Sequence, residues 1–255
     1  MSFYDAWRRF DQAASQYDQA TQLQQQSAEA LLQQIGTVQL GSVWLDAGCG
    51  TGRLAKRLAA QQARVWAVDR ALAMLQPLRA EENIQIICTD LRELPMPDEM
   101  LDGLVSNFAL HWLGVSILPE LLRVVRPKGE LHLAIPVAGS LSVVQQRFVG
   151  FPVFAFESEQ AWIDAAGESL VSAELLTLSQ SFGNLYELLQ SLRQMGGDQV
   201  ADAAYRPEPQ RLRQWLRDRA PIALDYRVLL LRLKKPAATD GFSQWLQQVQ
   251  QREGD

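Results

Sequence analysis

Apolar residues change their spacing near position 42, and the change divides the chain. Before it, Phe10, Ala13, Ala14 and Tyr17, then Leu23, Ala28, Leu31, Leu32 and Ile35, recur at helical intervals in a Gln- and Ala-rich background and stop at Gly36. This spacing predicts two amphipathic helices. After it, short β-rich runs alternate with helical stretches: SVWLDAG, GRLAKRLAAQQ, ARVWAVD, ALAMLQPLRAE, IQIICTD, LDGLVSNFA, ILPELLRVVRP and ELHLAIP. Strands and helices of this length in alternation predict an α/β fold, a mostly parallel sheet with crossover helices on both faces and a ligand crevice at the strands' carboxyl ends. Beyond Pro136 the alternation loosens. Residues 140–170 read as helix and loop, 174–179 as a strand and 184–195 as a helix stopped by Gly196-Gly197. Residues 208–219 read as an amphipathic helix and 224–235 as the last strand, followed by a polar tail with one short helix around 242–251.

Composition narrows the classes. Hydrophobic residues make up 47% and charged residues 21% of 255, a balance that supports a packed core and is far from that of disordered chains. No apolar run approaches the roughly 18–20 residues needed to span a bilayer, and the opening MSFYDAWRRF has no apolar stretch of signal-peptide type, so a cytoplasmic protein without a membrane partner is expected. Cys49 and Cys88 are too few for a disulfide framework or a structural zinc site, and both read as reduced, with no metal expected. The formal net charge of −5 argues against a nucleic-acid partner, which would demand a dominant basic surface.

The segment LDAGCGTG, residues 45–52, follows a predicted strand and opens a predicted helix, the context in which a glycine-rich loop cradles a cofactor. Gly48, Gly50 and Gly52 let the backbone turn and approach a ligand, and the helix start offers free N–H groups. The spacing is G-x-G-x-G rather than the G-x-G-x-x-G of a dinucleotide loop, and Asp46 stands two residues before the first glycine. A carboxylate there would repel a pyrophosphate and suits an ammonium group, so a ligand with an amino-acid moiety fits better. Asp69, with Arg70 beside it, ends the second strand, where an acceptor can take both hydroxyls of a ribose. Asp90 ends the third and is followed by Leu91, a pair suited to an adenine amine and an apolar wall. Three acidic strand ends without a phosphate-binding lysine describe a site for S-adenosyl-L-methionine. Asn107, Phe108, His111 and Trp112 follow the fourth strand at the crevice mouth, where aromatic faces favour a cationic sulfonium.

Over residues 42–135, LDAGCGTG, AVD, CTDLRELP, NFALHW and RVVRPKGE, in this order, resemble the class I S-adenosylmethionine-dependent methyltransferases. A finer resemblance, covering nearly the whole chain, is to the malonyl-acyl-carrier-protein O-methyltransferases of biotin synthesis. It is carried by FDQAASQYDQATQLQQQSAEALL, SNFALHW, RVVRPKGELHLAIPVAGSL, SLRQMGGD and LDYRVLLLRL. The resemblance implies a Rossmann-like fold with a seven-stranded, mostly parallel sheet, an N-terminal helical lid and an inserted helical segment. The organisation expected is a lid over 1–40, a cofactor-binding core over 41–136, substrate-side helices and last strands of the same domain over 137–235, and the tail over 236–255. It further implies methyl transfer to the free carboxylate of a malonyl thioester, yielding S-adenosyl-L-homocysteine. Malonyl-acyl carrier protein is the implied substrate partner, with malonyl-CoA as a further carrier. A carboxylate is ionised at neutral pH, so no general base and no catalytic dyad are expected. Another small acid or a carbon nucleophile is the alternative acceptor, and a non-catalytic cofactor-binding protein is the alternative class.

Three residues are candidates for the reacting side: Tyr17, in the segment that the resemblance makes a lid, with helix packing as the alternative; His111, as a donor to the carboxylate or thioester carbonyl, at a position where the family often carries Gln, with a satisfied structural histidine as the alternative; and Arg123, as the cation pairing the carboxylate, with the structural role an arginine often has at this point of the superfamily as the alternative. Phe151, Phe154, Phe156 and Trp162 are read as walls of an acyl pocket, with Arg193 and Met195 reaching the same site, and core packing is the equal alternative. From Arg206 to Lys235 nine Lys or Arg residues stand against three acidic ones, a face that would steer an acidic carrier protein or a CoA phosphate. Solvated helix and strand surface explains those charges equally well.

Overall fold

Helix α1 (Gln22–Ile35) buries Leu23, Ser27, Ala28, Leu31 and Leu32 along one stripe, the i, i+4, i+8 face that the spacing of apolar residues anticipates. Gly36, at φ 68°, closes it with its N–H on the Leu32 carbonyl, a left-handed stop open to a residue without Cβ. In this computed structural model, which describes residues 22–151, 153–194 and 208–237, strands and helices then alternate, except at one place where two strands succeed each other with no α-helix between them. The order runs β1 (Val43–Ala47), α2 (Arg53–Ala59), β2 (Arg64–Asp69), α3 (Leu72–Leu75), β3 (Ile84–Cys88), β4 (Leu101–Asn107), α4 (Leu118–Val124) and β5 (Val125–Pro136). The second half adds α5 (Ser142–Arg147), α6 (Glu159–Ala166), β6 (Leu170–Phe182), α7 (Leu185–Gln194), α8 (Pro209–Arg217) and β7 (Ile222–Lys234).

The strands form one seven-stranded sheet in the order β3-β2-β1-β4-β5-β7-β6. β3 to β5 are parallel, and β7 runs antiparallel to both its neighbours, which is the mostly parallel sheet expected. Strand order turns back between β1 and β4, so the connections leaving their carboxyl ends part and open a crevice there. Alternate side chains divide between two cores. Leu45, Leu104, Leu131, Leu133 and Leu231 face α4 and α6 with Leu121 and Trp162. Trp44, Val65, Val105, Ala134 and Leu230 face α1 and α2 with Ala28, Leu31, Leu54 and Leu58. A one-residue slip would exchange these faces, so burial on both sides locks the register. A third cluster, with Phe148, Leu188, Trp215, Ile222 and Leu224, packs α5, α7 and α8 against the start of β7.

Two elements differ from the sequence reading. The helix expected to run through RVVRP ends at Val124, because Val125 already pairs with Leu101 as the first residue of β5. The strand expected over 174–179 extends from Leu170 to Phe182. It pairs with β7 alone at the sheet edge and leaves Val171 48% and Leu175 38% exposed, so its outer face lacks the clean alternation that would have marked its ends. The expected helix around Phe10–Tyr17 and the short helix around 242–251 lie outside the described residues. Among the described residues no helix is long and apolar enough to cross a membrane.

Candidate active site

The loop after β1 turns back on itself through Gly48, Gly50 and Gly52, at φ 73°, 53° and 82°. The N–H groups of Gly48 and Cys49 both donate to the Val68 carbonyl, at 2.8 and 3.0 Å, which ties the loop to the end of β2. Gly48 has no room for a side chain: a Cβ there would lie 2.3 Å from the Ala109 Cβ. The glycine loop therefore abuts the segment that carries Phe108, His111 and Trp112.

The acidic strand ends are held by backbone donors. Asp69 Oδ2 accepts from Gly50 N at 2.9 Å and Oδ1 from Ala71 N at 2.8 Å, so one carboxylate fixes both the loop and the turn after β2. A carboxylate at this strand end is the acceptor type that ribose hydroxyls require. Asp46, 2% exposed, turns under the loop, and its Oδ2 accepts from Ala55 N of α2 at 2.9 Å. Burial lifts its pKa to about 7; the Ala55 N–H works against that rise and the nearby Asp69 charge adds to it. A carboxyl poised at that value regains its charge when a cation arrives. Asp90 Oδ1 accepts from Arg92 N and Nε, and Oδ2 meets Arg92 Nη2 at 2.6 Å and Arg70 Nη1 at 3.3 Å. The hydrogen-bonded Arg92 holds its pKa below the usual carboxylate range. Leu91, the residue after Asp90, is buried.

Across the crevice the surface becomes aromatic. Phe108 adopts φ 54°, a left-handed conformation uncommon for a bulky residue, and its N–H donates to the Ala134 carbonyl. His111 stacks 4.7 Å from Trp112 and lies 5.7 Å from Phe154 and 5.5 Å from Phe156, ring centre to ring centre. Its Nδ1 is buried without a hydrogen-bond partner, and burial drives its pKa down to about 3. His111 is thus a neutral imidazole at physiological pH, able to hydrogen-bond but not to serve as an imidazolium acid.

Several expected roles are redirected. Arg123 sits in the last turn of α4, beside the start of β4 and β5 and so at the sheet edge opposite the crevice. Its Nε and Nη2 bind Glu120, Nη1 binds Asp98 and the Met96 carbonyl, and Nη2 also reaches the Leu94 carbonyl. Its donors are thus committed to Glu120 and the 94–98 loop, which it clasps to α4. The Asn107 amide is likewise engaged, accepting from Ser27 Oγ at 2.6 Å and donating to the Gln24 carbonyl at 2.9 Å. These contacts pin α1 to the end of β4. Of the proposed pocket walls, Phe154 and Phe156 join His111. Phe151 instead packs on Phe148 and Trp215, and Trp162 is fully buried in the core. Tyr17, Met195 and the Arg193 side chain lie outside the described residues.

The sequence reading missed Tyr226, whose ring lies 5.2 Å from Phe108 and 6.2 Å from Phe156. Its signal was available, as the aromatic residue inside LDYRVLLLRLKK. Only the antiparallel pairing of β7 shows that it reaches the crevice.

A seven-stranded sheet with its sixth strand in space antiparallel, a glycine loop after β1 and carboxylates at the next strand ends are together the class I methyltransferase fold. Residues 45–133 match the family model described as Methyltransferase domain. The geranyl diphosphate C-methyltransferase of Streptomyces coelicolor A3(2), solved with S-adenosyl-L-homocysteine, superposes with a TM-score of 0.52 at 15% identity, covering 83% of this chain and 79% of that one. The malonyl-[acyl-carrier protein] O-methyltransferase of Salmonella typhimurium is 40% identical over 140 residues, 54% of this chain and 55% of that protein. This match spans about half of that relative's length. The protein of the same name from Erwinia pyrifoliae is 33% identical over 237 residues, 86% of this chain and 88% of that one. The chain belongs to the malonyl-[acyl-carrier protein] O-methyltransferase family.

Proposed function

We propose that the protein is an S-adenosylmethionine-dependent O-methyltransferase that esterifies the free carboxylate of a malonyl thioester, the step that initiates pimeloyl synthesis for biotin in the reading that the family supports. The observation that carries it is the direct abutment of the glycine loop on an aromatic wall, Gly48 against Ala109 and the rings that follow, with no charged base in that wall among the described residues. When bound, S-adenosylmethionine supplies an electrophilic methyl group whose bond pair leaves with sulfur as a carboxylate oxygen takes the carbon, so no proton has to move.

The residues fit that cofactor. Asp69 offers hydroxyl acceptors beside Gly50, Arg70 and Asp90 form the far rim with Leu91 as the apolar wall, and Asp46, buried beneath the loop, stands ready to ionise near a cationic amine. Gly48, Gly50 and Gly52 give the ligand access to the backbone, and Asn107 serves by holding α1 in place. Phe108, Trp112, Phe154 and Phe156 exclude water from the acyl carboxylate. Removing its hydration raises both its nucleophilicity and its attraction to a positive methyl donor. A neutral His111 can orient that carboxylate without competing for a proton.

Malonyl-acyl carrier protein is the substrate in this reading, with malonyl-CoA as a second carrier. Arg211, Arg213, Arg217 and Arg219 are exposed on and after α8 and have no ion-pair partner among the described residues, so they can meet an acidic carrier. The reading includes a cytoplasmic location, where free thiols such as Cys49 and Cys88 persist. The test is methyl transfer from labelled S-adenosylmethionine with malonyl-acyl carrier protein, malonyl-CoA and free malonate side by side. Label is expected in an ester of the carrier-bound malonyl group. Cofactor binding without transfer to any of the three would overturn the reading.

A further inference from the structure

Tyr226 lies two residues before Val228, the β7 residue paired with Pro136 at the end of β5. Because β7 is antiparallel, this places Tyr226 just beyond the carboxyl edge of β5, on the crevice side of the sheet. Its ring packs edge-on against Phe108 at 5.2 Å and Phe156 at 6.2 Å, while His111 lies 6.5 Å from Phe108 and 5.5 Å from Phe156. The four rings close a circuit in which two apolar corners alternate with two polar ones. Neither polar corner is satisfied. His111 Nδ1 is buried without a partner, and the Tyr226 hydroxyl meets no donor or acceptor among the described residues. The neighbouring Asp225 carboxylate is turned away, accepting from Ser142 N, Ser142 Oγ and Val143 N at the start of α5. Burial, with the Asp225 charge adding to it, keeps the phenol protonated above its ordinary range, so it remains a donor.

A carboxylate entering an apolar frame needs a hydrogen-bond donor, since an unpaired buried charge is strongly disfavoured. A guanidinium would satisfy it but would also hold the negative charge that must attack. Arg123, the cation that the sequence offered, is occupied at the opposite sheet edge. We propose that Tyr226 is the substrate-contacting donor of this site: its hydroxyl holds the acyl carboxylate through the oxygen that does not take the methyl, with His111 at the facing corner of the frame. A neutral donor fixes the orientation and leaves the charge on the attacking oxygen. The assignment rests on the proposed malonyl-thioester reading.

The test compares wild type with Tyr226→Phe, which keeps the ring and removes only the hydroxyl. Calorimetry with S-adenosyl-L-homocysteine present measures the affinity for malonyl-pantetheine and for acetyl-pantetheine, which lacks the carboxylate, and steady-state assays give kcat and KM. Malonyl affinity is expected to fall roughly ten- to a hundredfold, the loss of one hydrogen bond to a charged group, with KM following. Acetyl-pantetheine and S-adenosyl-L-homocysteine affinities are expected to stay within about twofold. Unchanged malonyl affinity in a variant of an active enzyme would overturn this proposal and leave the functional reading intact, and so would an equal loss for both thioesters. A wild type that neither binds nor methylates any malonyl thioester would overturn the functional reading and this proposal with it. If Tyr226→Phe fails to fold, wild-type protein labelled at tyrosine 13Cζ decides: the Tyr226 resonance should move with malonyl-pantetheine and not with acetyl-pantetheine, and no movement with either overturns the proposal.

Discussion

The two walls of the crevice are built by opposite means. On the glycine-loop side, β1, α2, β2, α3 and β3 follow one another in the chain, and the polar contacts run from carboxylates to nearby backbone N–H groups: Asp46 to Ala55, Asp69 to Gly50 and Ala71, Asp90 to Arg92. On the acyl side, Phe108, His111, Phe154, Phe156 and Tyr226 come from three distant stretches of chain and meet through rings. The first wall suits a ligand rich in hydroxyl and amino groups. The second strips water and holds few polar atoms, each of which then matters more because the local dielectric is low. A polar cradle with short sequence separations can be written as a motif, whereas an aromatic wall is assembled by topology.

The sharpest way to break this contrast is Gly48→Ala. The added methyl would meet Ala109 at 2.3 Å in a left-handed backbone position, and S-adenosylmethionine affinity is expected to drop about a hundredfold or more, roughly 3 kcal/mol. A calorimetric titration checks this, and unchanged affinity would disconnect the loop from the cofactor. Asp69→Ala should weaken the same binding by roughly 1.5–3 kcal/mol, read by the same titration. Full affinity would remove Asp69 from the site.

Arg123→Ala sharpens the contrast from outside the crevice. Loss of its bonds to Glu120, Asp98 and the 94–98 carbonyls should lower stability in urea by about 1–3 kcal/mol, while kcat and KM of the folded enzyme stay unchanged. A raised KM at unaltered stability would restore Arg123 to the substrate.

Asp46 gives a pH signature of the polar wall. Its proton is held up to about pH 7 in the folded protein, against 3.8 ordinarily. In that interval the folded state binds more protons than the unfolded one. The contribution to stability is therefore fully present below the lower value and is lost as pH rises through the upper one. Urea unfolding of wild type and Asp46→Asn should show wild type losing ground to the variant as pH rises across that window, and parallel curves would refute the assignment. His111, displaced the other way to about 3, is neutral on both sides of neutrality, so no His111 ionisation should appear in the pH profile of methyl transfer between about pH 6 and 8. The smallest effect expected is on the carrier. Reversing Arg211 and Arg213 to Glu should raise KM for malonyl-acyl carrier protein about three- to tenfold at low salt and leave malonyl-pantetheine unaffected; equal effects on both would refute carrier steering.

What could be read in advance follows the same division. The alternation of VWLDA, RVWAVD and LDGLVSN with helical stretches determined the parallel sheet, because buried parallel strands must be apolar throughout and need crossovers of helix length. The glycine spacing and the acidic strand ends determined the polar wall, since their partners lie a few residues away or on the neighbouring strand. Tertiary structure alone decided the rest. It placed Arg123 at the far edge, because α4 runs away from the crevice to reach the start of β5. It turned the Asn107 amide onto α1, and it carried Tyr226 to the mouth, because β7 enters the sheet in reverse. Direction and register of strands far apart in sequence depend on the closed core, and no local run of residues encodes which charged or phenolic side chain that closure leaves facing the substrate.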